Sequence, residues 1–170
     1  DGSPLGSHDG SVTGATSTVD GTRGNVLNLD AAGGADYLQI SGHFGNPTDV
    51  TLAAWINLTT ADISGADIIS LGDNVVIRAD HAGKLRGFYY TGSIWEAVEF
   101  DITLAGTGWH HIAYTYDDAA NVHRLYLDGA LVATGTTTAS ISYTRGADSF
   151  IGKHGNAGTS MDFTGQIDDA

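Results

Sequence analysis

Apolar and polar residues alternate with a period of two over much of the chain. In VTLAAWINL, residues 50–58, every second residue is apolar and falls on one face: Val50, Leu52, Ala54, Ile56 and Leu58. The same character recurs in further short stretches: NVLNLD, DYLQIS, DIISLG, NVVIRA, LRGFYY, WEAVEF, HIAYTY, HRLYL, ALVATG and DSFIG. No long helical period is found. About a dozen short strands separated by polar, glycine-containing breaks predict an all-β sandwich or jelly roll.

The clearest local signal is HRLYLDGALVATG, in which Asp128-Gly129 separates two alternating stretches. Such a pair favours a two-residue hairpin, because a type I′ turn needs positive φ at both central residues. A polar loop, DDAAN, precedes the hairpin. The sequence therefore predicts a meander of three strands, over residues 109–116, 122–127 and 130–135.

Two adjacent histidines, His110 and His111, stand in GWHHIAYTYD. Neighbouring residues on a strand point to opposite faces of the sheet, so the two imidazoles cannot jointly bind one metal ion. One face would hold Trp109, His111, Ala113 and Thr115, and the other His110, Ile112, Tyr114 and Tyr116. Bulky residues on both faces indicate an inner strand covered on both sides, and we interpret the histidine pair as structural.

The composition of the 170-residue chain narrows the possible functions. Lys and Arg number 7 against 20 Asp and Glu, a formal net charge of −13, and every acid except Glu96 and Glu99 is Asp. Without basic clusters to neutralise phosphates, a nucleic-acid partner is disfavoured. Abundant Asp suits either a strongly solvated surface or oxygen ligands for calcium.

The absence of Cys excludes disulfides and thiolate zinc sites. No apolar run approaches the roughly 18 residues that span a bilayer.

GWHHIAYTYD and LYLDGALVATG resemble the Trp-His-His strand and the Tyr-x-Asp-Gly hairpin of laminin-G-like jelly rolls, in the concanavalin A-like lectin/glucanase superfamily. Further segments resemble the opening loop, the Asp-Tyr segment, the Trp-containing strand and the closing strands of that family: SHDGSVTGAT, NLDAAGGADYLQI, VTLAAWINL, SFIGKHGN and FTGQIDDA. The order and spacing of these motifs, over nearly the whole chain, identify it as a member.

The resemblance implies two stacked, curved antiparallel sheets with loops at the rim, and it makes the double-histidine strand part of the scaffold. Domains of this family are usually extracellular, frequently bind calcium and commonly recognise carbohydrates or glycosylated partners. They usually also begin with an apolar strand and continue past the closing Ile-Asp-Asp. Residues 1–170 therefore resemble a single domain of a longer secreted chain, with the outermost strands clipped and neighbouring domains beside it.

Calcium binds about six to eight hard oxygen atoms, mostly from loops. The pentraxin relatives of the fold use an adjacent Asp-Asn pair after a strand, and SLGDNVVI places Asp73-Asn74 in a similar position. Their second ligand cluster corresponds to IGKHGN, where Lys153 and His154 replace acids. The resemblance therefore implies a weaker site, made by Asp73, Asn74 and Asn156.

Two other acidic positions are candidate calcium ligands. Asp36 stands at the end of a Gly-rich loop, and Asp169 follows Asp168 near the closing strand, where relatives often hold a structural calcium. For each of these residues the alternative is a turn aspartate that satisfies nearby backbone N–H groups.

Carbohydrate binding needs exposed aromatic faces together with polar groups for the sugar hydroxyls. GFYYTGSIWEAVEF places Tyr89, Tyr90 and Trp95 close together around a turn. Tyr89 and Tyr90 point to opposite faces, so one of them belongs to the core. We predict a ligand surface made by Trp95 and Tyr90, with His154 in a second rim loop. The alternative is that all three aromatic side chains pack inside, as strand aromatics usually do.

Some relatives of the fold are glucanases, which carry acids at period two along one strand. Glu96 and Glu99 are three residues apart and would face opposite ways on a regular strand. No nucleophile-elbow context is found either. The sequence therefore predicts a domain that is not an enzyme.

These observations together predict a calcium-assisted ligand-binding module in a bacterial adhesin or multidomain surface protein, with carbohydrate as its ligand. Calcium would order the rim loops or coordinate vicinal hydroxyls directly. Two alternatives stay open: a structural spacer stiffened by calcium, and, less favoured, a glycoside-acting enzyme. An exposed aromatic residue in a rim groove favours binding, whereas fully buried aromatics favour the spacer.

Overall fold

The computed structural model describes residues 9–30 and 36–170, and over these residues the chain consists of strands and loops without a helix. The strands in chain order are β1 (Ser11–Thr13), β2 (Thr16–Asp20), β3 (Gly24–Leu29), β4 (Tyr37–Ser41), β5 (Val50–Ala61), β6 (Ala66–Leu71), β7 (Val75–Ala79), β8 (Lys84–Tyr90), β9 (Trp95–Asp101), β10 (Trp109–Asp117), β11 (Val122–Leu127), β12 (Ala130–Thr136), β13 (Asp148–Ile151) and β14 (Phe163–Asp168).

The strands form two antiparallel sheets of seven strands each. The front sheet has the order β1-β4-β13-β6-β7-β8-β9, and the back sheet has the order β12-β11-β10-β5-β14-β3-β2. The inner faces of both sheets contribute to one apolar core. The prediction of an all-β jelly-roll sandwich is therefore confirmed.

Alternation along the strands decides which residues enter the core. On β5, all the apolar residues predicted to share a face are buried: Val50, Leu52, Ala54, Ile56 and Leu58. Tyr89 of the front sheet meets Tyr116 of the back sheet inside the core, with ring centroids 4.5 Å apart. Gly87 faces the ring of Tyr114, where a Cβ would collide with it. The glycine thereby lets the two sheets approach closely.

The predicted meander is confirmed as β10, β11 and β12. Asp128, with φ 50°, and Gly129, with φ 80°, make the two-residue turn between β11 and β12. One carboxylate oxygen of Asp128 accepts a hydrogen bond from the His111 backbone N–H at 2.9 Å. The other lies 2.8 Å from His110 Nδ1. Both histidines therefore belong to the scaffold that fixes the hairpin against β10.

β10 is an inner strand, but it is covered on one face only. Ile112 and Tyr114 are buried in the core, whereas Trp109 and His111 on the opposite face are half-buried. In the part of the chain that the structure describes, no second layer lies over this outer face. His111 instead packs edge-on against Trp55 of β5, with ring centroids 5.2 Å apart. The expectation of cover on both sides was wrong, because neighbouring bulky side chains shield one another instead.

β1 and β2 are edge strands that the sequence pattern does not predict. Their apolar residues Val12 and Val19 are 55% and 76% exposed. Because these side chains are not buried, the two strands do not show the alternating apolar pattern of a core strand. β2 is held by its backbone pairing with β3. The segment SHDGSVTGAT, expected to be a loop, therefore contains β1 and the first residue of β2.

Candidate functional site

The outer face of the front sheet carries half-exposed aromatic residues. On β8, Tyr89 points into the core and is buried, whereas Tyr90 lies on the outer side and is half-exposed. Trp95 begins β9 directly opposite Tyr90, and their ring centroids lie 5.0 Å apart. Phe88 packs edge-on against the indole at 5.4 Å. Trp95 is thus held firmly by its neighbours while part of its ring stays accessible.

Trp95 stands in an open groove with a volume of about 230 Å³. The groove is lined by Asp73, Arg78, Arg86, Phe88, Trp95, His154 and Met161. Its lining comes from β7, β8, β9 and two loops, so it forms only in the folded domain. Two of the three predicted ligand contacts, Trp95 and His154, line it, and Tyr90 stands beside it.

Two arginines form the floor of this groove. Arg78 on β7 stands directly opposite Arg86 on β8, and each guanidinium lies 4.9 Å from the ring centre of Phe88. Asp67 accepts hydrogen bonds from Arg78 Nε and, at 3.2 Å, from Nη2. Glu99 lies 2.9 Å from Arg86 Nε. Burial lowers the pKa of Arg86; Glu99 raises it and Arg78 lowers it to smaller extents.

His154 connects the floor of the groove to its rim. Its Nδ1 lies 2.8 Å from Asp67 Oδ2, and its Nε2 lies 3.7 Å from Asp73 Oδ1. The hydrogen bond to Asp67 raises the pKa of His154, although burial opposes it. Burial raises the pKa of Asp73 as well, and the charge of His154 opposes that shift. The charged form of the imidazole is therefore favoured between two carboxylates.

Three glycines allow the rim loops to pack this closely. A Cβ at Gly155 would collide with the backbone of Gly72, and a Cβ at Gly146 would lie 2.5 Å from the carbonyl oxygen of Gly155. Gly72 itself has a φ of 55°. Because the loop after β13 rests directly on the turn between β6 and β7, His154 comes next to Asp73.

Asn74 anchors a third loop to the same turn. Its Nδ2 donates to the carbonyl oxygens of Leu71 at 3.0 Å and Arg145 at 2.6 Å. Its Oδ1 accepts from the Arg145 backbone N–H at 2.8 Å. The guanidinium of Arg145 then lies 4.1 Å from the ring centre of Tyr90 and 5.4 Å from that of Trp95. Asn74 thus positions a cation beside both aromatic residues.

The arginines of the groove and Met161 are not among the site residues predicted from the sequence. Arg78 and Arg86 are the charged outer residues of the mostly apolar stretches NVVIRA and LRGFYY. Their alternation with core residues is a signal that could have found them. Arg145 and Met161 lie in loops far along the chain, and no local pattern places them at the groove.

The predicted calcium ligands Asp73 and Asn74 share a turn but do not form an oxygen cage. The amide of Asn74 is committed to backbone groups, and Asp73 faces Arg145 Nη1 at 3.9 Å and His154. Within residues 9–30 and 36–170, no group of three or more His, Cys, Asp or Glu side chains is arranged to hold a metal ion. This turn would have to rearrange to accept calcium. Calcium binding by Asp73 and Asn74 stays a prediction.

The other predicted calcium ligands lie apart from this turn or have other contacts. Asn156 is exposed, and its Oδ1 accepts a hydrogen bond from the Gly158 N–H at 2.7 Å. Asp36 is buried, 4% exposed, just before β4. Asp169 follows β14 in the back sheet and is exposed. The structure therefore does not gather these three residues around one point on the front face.

The two glutamates face opposite ways, as the sequence predicts. Glu96 pairs opposite Tyr89, on the core side of β9, whereas Glu99 pairs opposite Arg86, on the outer side. The period-two arrangement of acids on one strand face is therefore not formed by these residues.

A larger cavity, of about 480 Å³, lies between the two sheets. Its lining is mainly apolar and includes Leu52, Ile69 and Phe150. Such a lining suits a polar ligand poorly, because polar groups that lose water need hydrogen-bond partners. The smaller, polar groove is therefore the better candidate for a ligand with many hydroxyl groups.

Comparisons with solved structures show the same fold in several other proteins. Domain 4 of AbnA, an extracellular arabinanase from Geobacillus stearothermophilus solved with arabinotriose, matches 94% of this chain and 79% of its own, with TM-score 0.73 and 15% identity. The CBM40 domain of the Ruminococcus gnavus IT-sialidase, bound to α2,3 sialyllactose, matches 71% of this chain and 72% of its own, with TM-score 0.58 and 17% identity. Mouse laminin α1 domains LG4-5 match 90% of this chain and 40% of theirs, with TM-score 0.61 and 12% identity.

At the level of sequence, no curated protein matches this chain. Across the part of the chain that the structure describes, no helix is long and apolar enough to cross a membrane. The concanavalin A-like lectin/glucanases superfamily profile, by contrast, matches residues 32–170. This match and the shared fold show that the chain belongs to the laminin-G-like family of the concanavalin A-like lectin/glucanases superfamily.

Proposed function

We propose that this chain is a non-catalytic carbohydrate-binding domain whose ligand lies in the groove on the outer face of the front sheet. The observation that carries the proposal is Trp95, a half-exposed indole at the edge of a polar groove. Phe88 and Tyr90 hold the indole in place. A side chain that is already ordered loses little conformational entropy when a ligand stacks on it.

The groove offers a partner for each surface of a sugar ring. The face of the Trp95 indole complements the apolar C–H face of the ring. The Arg86 guanidinium donates to hydroxyl oxygens, and the Asp73 carboxylate accepts from hydroxyl groups. Arg145 lies over Tyr90 and closes the side of the site. Aromatic and charged groups on different walls would thereby fix both the position and the orientation of a sugar.

Related structures support a carbohydrate ligand. The arabinanase domain was solved with arabinotriose, and the sialidase CBM40 with sialyllactose. The binding domain of botulinum neurotoxin DC, solved in complex with SialylT, also shares the fold, with TM-score 0.63 and 11% identity. Each of these structures is one domain of a larger protein. We therefore place this domain in a multidomain extracellular or cell-surface protein, such as a bacterial adhesin, with a glycosylated surface as its partner.

Calcium is a separate component of the proposal, and thermal unfolding tests it. Calcium bound at any of the predicted acidic positions should raise the melting temperature in millimolar calcium relative to EDTA, because an ion that binds only the folded state stabilises it. An unchanged melting temperature would contradict calcium binding, and the proposed binding of carbohydrate to the aromatic groove would be unaffected.

A glycan array with the purified domain, run with calcium and with EDTA, tests the proposed function. For any glycan that binds, Trp95→Ala should weaken affinity at least about tenfold, as expected for an aromatic anchor that the ligand covers. The matched control is Trp109→Ala, because Trp109 is a half-buried tryptophan on the opposite sheet. Loss of binding in the Trp109 variant alone would move the site to the back sheet. Binding to no glycan under either condition would contradict the proposed function.

A further inference from the structure

The outer face of the front sheet concentrates the cations of a strongly acidic chain. The whole chain has 7 Lys and Arg against 20 Asp and Glu. Of these cations, Arg23 and Arg124 belong to the back sheet. The other five lie on or beside the front face: Arg78, Lys84, Arg86, Arg145 and Lys153. Carboxylates lie among them, so the face has no large excess of charge, and the arrangement of individual donors decides what it binds.

Arg78 and Arg86 retain hydrogen-bond donors that the protein does not use. A guanidinium carries five N–H donors. Asp67 engages Nε and Nη2 of Arg78, and among residues 9–30 and 36–170 no group accepts from its Nη1. Glu99 stands on the Nε side of Arg86. The two Nη atoms of Arg86 likewise have no acceptor in the described structure. Both side chains line the groove, and that of Arg78 is only 6% exposed.

The two arginines also stand directly opposite each other on neighbouring strands. Like charges in this arrangement destabilise a sheet, and a shared ring, Phe88, lies beneath both guanidinium groups. Asp67 and Glu99 offset part of this repulsion from the Nε sides, and an anion placed against the Nη atoms of both groups would reduce it further. A planar carboxylate suits them best, because its two oxygens accept parallel hydrogen bonds from guanidinium groups.

We infer that the groove binds a sugar that carries a carboxylate, with the carboxylate on the Nη atoms of Arg78 and Arg86 and the sugar ring against Trp95. This inference rests on the proposed carbohydrate function and specifies the class of its ligand. His154 lies in the same groove, between the carboxylates of Asp67 and Asp73. Hydroxyl oxygens of a neutral sugar can also accept from these donors, but a carboxylate adds a negative charge and two coplanar acceptor oxygens, which makes the acidic sugar the better partner.

The carboxylate can belong to a uronic acid within a chain or to a terminal sialic acid, and two probes separate these sources. Trigalacturonate and sialyllactose are each titrated calorimetrically beside their methyl esters, which keep the sugar and lose the charge. For at least one probe, the acid should bind at least about tenfold more tightly than its ester. The probe that shows this difference identifies the source.

Arg86→Gln should abolish the preference for the acid over its ester. Arg86→Lys, which keeps the charge but loses the planar fork, should lose most of it. The matched control is Arg124→Gln, on the outer face of the back sheet opposite Thr115, and it should keep the full preference. Thermal unfolding of each variant tests whether the fold is intact.

Equal binding of acid and ester, or a preference that survives in Arg86→Gln, would overturn the inference. Binding of neutral glycans through Trp95 without binding of either acid would also overturn it while leaving the proposed function in place. If neither neutral nor acidic glycans bind, the proposed function fails first, and the inference fails with it.

Discussion

At the scale of single residues, Asp67 organises the charges of the groove. It is fully buried and contacts Arg78 through both carboxylate oxygens and His154 through one. Removal of this buried carboxylate would leave the buried Arg78 guanidinium without its acidic partner, which is far more costly than losing a surface pair. The groove is thus rigid at its floor, and the hydrogen bond to Asp67 raises the pKa of His154.

The stability of the domain should depend on pH through His154. Its folded-state pKa is raised from 6.5 by Asp67, so its contribution is complete below about pH 6.5 and is lost as the pH rises through the folded-state value. The charged groups that face it are Asp67, Asp73 and Arg78. The wild-type advantage over His154→Gln in the free energy of unfolding should therefore shrink as the pH rises above about 6.5.

Denaturant unfolding of both proteins across this pH range gives the comparison. Burial lowers the pKa of His123, which affects stability in the opposite direction, but this effect is common to both proteins and cancels in the difference. An advantage that stays constant or grows with pH would show that Asp67 does not stabilise the charged imidazole.

His111→Ala should lower stability without changing glycan binding. The imidazole packs edge-on against Trp55, and such a ring pair contributes about 1 kcal/mol. The backbone N–H of residue 111 keeps its hydrogen bond to Asp128, so the hairpin should remain. Thermal unfolding and a glycan titration check the two halves of this expectation. Lost binding at an unchanged melting temperature would refute the scaffold interpretation of the histidine pair.

At the scale of elements, most of the strands are predictable from the sequence, whereas the full set of residues in the groove is not. The alternation of β5 and β8 places their core residues correctly, because side chains on a strand must point alternately to the two faces. The same rule separates Tyr89 from Tyr90. Arg145 and Met161 reach the site only through contacts between loops that are far apart along the chain. No local pattern specifies which loops will meet, so the combination of residues is found only in the structure.

Gly155→Ala should displace the loop that carries His154. The new Cβ would collide with the backbone of Gly72, and such overpacking costs about 1–3 kcal/mol. Gly21→Ala is the matched control, because a Cβ there meets no atom within 4 Å. The Gly155 variant should unfold at a lower temperature and bind glycan more weakly, whereas the control should resemble the wild type. Equal behaviour of the two variants would mean that the loop contact does not shape the groove.

At the scale of the whole molecule, the two outer faces present different chemistry on one scaffold. The front sheet exposes Trp95 beside a groove with arginines and His154. The back sheet exposes Trp55 and Trp109, and Arg23 lies 4.0 Å and 5.0 Å from their ring centres. There, the arginine already occupies the aromatic faces, and Asp168 pairs with it at 3.2 Å. On the front face Arg145 likewise lies over Tyr90 and Trp95, but Trp95 there also lines a polar groove. The front face is therefore the better candidate for a ligand.

The most direct test of the groove uses the three tryptophans as reporters of position. Each indole N–H gives its own signal in a heteronuclear NMR spectrum, and single Trp→Phe variants assign the three signals. On titration with a glycan that the array identifies, the Trp95 signal should shift and saturate, whereas those of Trp55 and Trp109 should stay in place. A shift confined to Trp55 and Trp109, with Trp95 unchanged, would contradict the assignment of the binding site to the front sheet.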